Sequence, residues 1–137
     1  MKHLPKIFCN AIPHKDQRYD TVGDYYSAIL RYHGDKRKTQ HFFISKTSAD
    51  YEFLVLIHEM IEWYLTQKRG IKEKDITNFD LMFEGECMDG KWTDEEPGDD
   101  PRSPYRKEHK FATKIEKMVA KELGVDWDEY ERILSEL

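Results

Sequence analysis

At 137 residues the chain has the length of one domain, and its 39% apolar and 13% aromatic content can fill a core, which excludes full disorder despite a charged fraction of 36%. The 27 acidic residues outnumber the 22 Lys and Arg, for a net charge of −5, which argues against a dedicated binder of nucleic acid or anionic membrane. No apolar run nears the roughly 20 residues of a membrane span. Lys2, Pro5 and Lys6 do not resemble a secretory leader, and Cys9 and Cys87 sit in no CxxC pattern. The expectation is a single cytoplasmic domain, residues 1–137, without disulfides.

In chain order, residues 6–12, 19–26, 28–32 and 40–46 read as extended, and Gly34-Asp35 before Lys36-Arg37-Lys38 reads as a hairpin tip, so a small antiparallel sheet is expected. Residues 50–69 then turn helical, with Ser48 or Asp50 as N-cap and Gly70 as terminator. Phe53, Leu54, Ile57, Met60, Ile61, Tyr64 and Leu65 gather on one face of that helix, which should pack on the sheet. Glu52, Val55, His58, Glu59, Glu62, Thr66 and Arg69 occupy the other arc. Residues 71–78 read as a polar segment and 79–84 as a short helical turn. Residues 89–104, rich in Asp, Glu, Gly and Pro, read as an irregular loop. Ser103-Pro104 starts a second long helix that Gly124 ends, with Phe111, Ile115, Met118 and Val119 as its core stripe. Asp126 and Glu129 have capping-box spacing at the head of a short last helix. The expected fold is α+β: a small sheet on a long helix, a second long helix and a short C-terminal one.

His58-Glu59-Met60-Ile61-Glu62 is the segment in which chemistry is most legible. Positions i and i+4 share a helix face, so the His58 imidazole and the Glu62 carboxylate can reach one metal ion, with Glu59 beside them as a base. A catalytic zinc usually takes three protein ligands plus water. His109, near the start of the second long helix and one turn before the small Ala112, is the candidate third ligand. Glu116, two turns on, could orient His109 only through an intervening group or water. Patterning alone favours reading the same polar arc as the wet side of an amphipathic helix, with His58 at the edge of the core.

Extended runs followed by a helix bearing His58-Glu59-Met60-Ile61-Glu62 resemble the core of compact zincin-like metallopeptidases of bacteria and phages. The resemblance spans roughly residues 19–70. It implies a zincin-like fold, a zinc cofactor, His58 as the first motif histidine, Glu59 as the catalytic base and a third ligand from a later helix, matched here to His109. It also implies a peptide or protein substrate. Glu62 stands where the family's second motif histidine belongs. That departure changes the charge of the site, so the expectation covers an active hydrolase and an inactive metal-binding form alike.

Two other readings accompany it. Glu59-x-x-Glu62 and Glu86-x-x-Asp89 resemble the magnesium-binding carboxylates of MazG-like nucleotide pyrophosphohydrolases, although Gly85 and Gly90 bracket the second pair. Alternatively, the chain is a non-enzymatic accessory protein whose acidic run 94–100, Trp92 and Tyr105 meet a partner.

Overall fold

The computed structural model of the protein describes residues 2–91 and 96–137. Strands β1 (Lys6–Ile12), β2 (Gly23–Tyr32) and β3 (Asp35–Ser45) precede helices α1 (Ala49–Lys68), α2 (Glu73–Met88), α3 (Arg106–Leu123) and α4 (Trp127–Ser135). The arrangement is α+β, but the sheet is mixed rather than antiparallel, in the order β1-β3-β2. β2 and β3 pair antiparallel, whereas β1 runs parallel to β3, with Ile7 opposite Gln40 and Ala11 opposite Ile44. Residues 13–22 cross the sheet's end and leave a slot between β1 and β2 that β3 fills. Alternation marks a strand but not its direction, which is why the mixed sheet escaped the sequence. Residues 19–22 belong to this link, and the two runs expected at 19–26 and 28–32 merge in β2.

Tyr32 pairs with Asp35, so His33 and Gly34 alone form the hairpin turn, at φ 46° and 83°. Positive φ at both central positions is a type I′ turn, whose twist matches that of the strands. Lys36, Arg37 and Lys38 lie just beyond it, exposed in β3.

The Ser48 side chain caps α1 by accepting from the Tyr51 amide, and Gly70 follows the helix at φ 73°. α1 lies between the sheet and α3. Trp63 packs with Tyr25 and Phe42 of the sheet, while Leu54 and Val55 join Ile44 of the sheet with Ala120 and Tyr130 of the later helices. A helix in a middle layer buries two faces, and this corrects the expected pattern. Val55, His58, Glu62 and Thr66 of the arc expected to be wet are buried, whereas Phe53 and Tyr64 are exposed. α3 departs in the same way. It turns Glu108, His109, Ala112, Glu116 and Ala120 inward and leaves Phe111 and Met118 in solvent, with Ile115 and Val119 half-buried. Its alanines allow close approach to α1, and its buried polar residues mark the site.

Residues 73–88 form one helix rather than a polar segment and a turn. Ile76, Asp80 and Phe83 are its buried stripe at i, i+4 and i+7, and the acid in the middle concealed the period. α3 begins at Arg106, after the expected Pro104, and ends at Gly124 in the left-handed conformation. Asp126 caps α4 by accepting from the Glu129 amide at 2.8 Å. Of the acidic loop, residues 97–99 form a 3₁₀ turn, while Trp92 and Asp94 lie outside the described residues. Tyr105, read as a residue that meets a partner, is buried and so does not present a free surface. Cys9 and Cys87 form no disulfide. Among the described residues no helix is long and apolar enough to cross a membrane.

Candidate metal centre

α1 supplies His58 and Glu62 one turn apart, and α3, antiparallel to it, supplies His109. Leu54 and Val55 anchor the preceding turn of α1 in the core, so the next turn must face α3. All three residues are at most 7% exposed. The His58 Nε2 and His109 Nδ1 atoms are 3.1 Å apart, and Glu62 Oε2 is 3.3 Å from the first and 2.9 Å from the second. These edges are close to the separation of two ligands on a tetrahedral zinc, about 3.3 Å for bonds of about 2.0–2.1 Å. A proton can bridge one edge of such a triangle; a metal ion satisfies all three corners. The residues therefore form a His/Glu group able to hold a metal ion.

The outer atoms of His58 and Glu62 are also engaged. Glu116 Oε2 sits 2.8 Å from His58 Nδ1, and the Tyr130 hydroxyl donates to the other Glu116 oxygen. With Glu116 accepting from Nδ1–H, Nε2 of His58 is left as the free donor atom. Glu116 thus orients His58 and not His109, a correction that follows from which ring faces its carboxylate across the helix pair. Tyr25 donates to Glu62 Oε1 at 3.0 Å, leaving Oε2 for the triangle. On the far edge of the His109 ring, Glu96 Oε2 and Asp99 Oδ1 stand 3.1 and 3.6 Å from Nε2. Tyr25 carried no sequence signal, and Glu96 lay in the acidic run 94–100 read as a partner contact; both come from segments that meet the helices only in three dimensions.

Burial opposes charge on His58, but its hydrogen bonds with Glu116 and Glu62 outweigh that and hold its pKa well above the ordinary value. Burial likewise opposes charge on His109, yet Glu62 and Glu96 push its pKa up to about 10. Burial also raises Glu62, but the two imidazoles pull it down to about 2. The site is thus an anion between two rings that favour positive charge, with two ring nitrogens face to face.

Glu59 lies beside the triangle, against Gly23 of β2, where a Cβ would come within 2.5 Å of Oε1. Burial, then the Glu62 charge, raise its pKa well above the usual carboxylate range. Gly98 plays the same part for His109: a Cβ there would lie 2.3 Å from the ring. A cavity of about 780 Å³ opens onto His58, Glu59, Glu62 and His109, and β2, α2 and the 97–99 turn also contribute to its wall.

The other carboxylate set does not assemble. Arg102 holds Glu86 through two hydrogen bonds, and Asp89 is exposed beyond the end of α2. Among the described residues, the groups whose donor atoms converge are His58, Glu62 and His109, and Glu96, Asp99 and His109.

No family model, no curated protein and no solved structure matches this chain.

Proposed function

We propose that the protein is a zinc-dependent hydrolase of zincin-like type, acting on a peptide or amide bond, with zinc held by His58, Glu62 and His109 and with Glu59 as the base. The observation that carries the proposal is the convergence of two ring nitrogens and one carboxylate oxygen within 3.3 Å of one another at the wall of a cavity. Zinc in such a set of donors polarises a carbonyl and lowers the pKa of bound water to about 7.

The chain's own residues supply the rest. Glu116, braced by Tyr130, keeps His58 in the tautomer that presents Nε2. Tyr25 fixes the Glu62 carboxylate so that one oxygen points inward. Glu59, with its affinity for protons raised by burial, is suited to take a proton and return it to a leaving amine. Two histidines and one glutamate are the donor set of known catalytic zinc sites, here with the glutamate in the second motif position.

Two measurements test the proposal. Protein purified without added metal, or stripped and reloaded, should hold a zinc ion at this site that His58→Ala and His109→Ala lose. Glu59→Gln should keep that zinc and lower hydrolysis of a mixed peptide library by roughly 10²–10⁴-fold. Protein that takes up no zinc would overturn the proposal; full turnover in Glu59→Gln would remove the base from its role.

A further inference from the structure

His109 presents a ring nitrogen to each of two groups. Its Nδ1 belongs to the triangle with His58 and Glu62. Its Nε2, on a side chain only 6% exposed, is buried and has no aligned hydrogen-bond partner among the described residues, although Glu96 Oε2 and Asp99 Oδ1 lie 3.1 and 3.6 Å away. A buried ring nitrogen flanked by two carboxylate oxygens, neither aligned with it for a hydrogen bond, is well placed for a cation. The two separations bracket the spacing of about 3.3 Å between ligands of a tetrahedral zinc.

The local backbone explains how the carboxylates come together. Residues 97–99 form a 3₁₀ turn closed by the Asp99 amide on the Glu96 carbonyl. In this geometry i and i+3 eclipse, so Glu96 and Asp99 project from one side. Gly98, between them, lets the turn lie directly on the imidazole, and Arg106 fixes it by donating from Nε to the Asp99 carbonyl.

We infer that His109 Nε2, Glu96 and Asp99 form a second divalent-cation site, so that the His109 imidazolate bridges two metal ions. This rests on the zinc reading of the first site. Occupation of both positions requires that the Nε2 proton leave to solvent, one proton per second ion bound. The second ion would pin the 97–99 turn to α3 at the rim of the cavity.

Native mass spectrometry of protein stripped with chelator and reloaded with Zn²⁺ reads the number of ions directly, with far-UV circular dichroism to confirm that each variant folds. The expected result is two ions in the wild type, one in Glu96→Gln/Asp99→Asn, one in His58→Gln and none in His109→Ala. A wild type with one ion, lost in His58→Gln and kept in the Glu96/Asp99 variant, would overturn the second site and leave the hydrolase proposal standing. One ion kept in His58→Gln but lost in the Glu96/Asp99 variant would support the new site and overturn the first. Two ions in the Glu96/Asp99 variant would place the second elsewhere, and no ion in any protein would overturn both.

Discussion

At the scale of single residues, two glycines set the positions of two chemical groups. Neither Gly23 nor Gly98 sits at positive φ; each is small because a side chain passes where its Cβ would be. Gly23→Ala should push Glu59 aside, keeping zinc content while lowering turnover at least about tenfold, because a misplaced base loses its proton-transfer geometry. Gly98→Ala should displace the His109 ring and weaken zinc binding about 10–100-fold, the usual cost of disturbing a ligand's orientation, as read by competition with a chelating dye. Unchanged zinc affinity in Gly98→Ala would show that the turn yields instead of the ring. The pairing of His58 and Glu62 was legible because i and i+4 spacing is a local property, and the approach of His109 because a small Ala112 follows it. It could not show that Glu116 serves His58, or that Glu96 meets His109, since those pairings depend on how α1 and α3 cross.

At the scale of elements, caps and turns were the most readable features. Ser48, Gly124 and Asp126 act where the sequence places them, because each works within one turn of its own chain. Gly124 is the test: at φ 70° an alanine is strained, so Gly124→Ala should destabilise the fold by about 1 kcal/mol, visible as a lower denaturation midpoint. An unchanged midpoint would mean that the end of α3 relaxes without cost. Helix faces were read less well. The apolar stripe of α3 was expected inward, yet Phe111 and Met118 face solvent while Glu116 and His109 are buried. Hydrophobic periodicity assumes that the buried face is the apolar one, and a helix carrying a polar site against its neighbour breaks that assumption. α2 was missed for a related reason, with Asp80 sitting in the middle of its buried stripe.

At the scale of the whole molecule, buried acids give stability a dependence on pH. Asp80 receives hydrogen bonds from Tyr19 and Tyr105, but burial outweighs them and raises its pKa to about 7. An unfolded Asp titrates near about 3.9, so between these values the folded chain holds a proton that the unfolded chain has released. The contribution of this group is complete below about pH 4 and is lost as pH rises through about 7. Metal-free protein should therefore lose stability across this window, and Asp80→Asn should flatten the decline by up to about 1.4 kcal/mol per pH unit, measured by urea unfolding. An unaltered slope would assign the dependence to other groups. A different global property follows from the place of the triangle. His58 and His109 are 51 positions apart in the chain, and α2 and the residues around 97–99 lie between them. An ion gripping both rings would act as a clasp on a long loop, stabilising the native state by an amount that grows with free zinc, about 4 kcal/mol at a thousandfold excess over the dissociation constant. Chelation should then quicken amide hydrogen exchange first in the opening turns of α3, with the β2–β3 hairpin the last to respond.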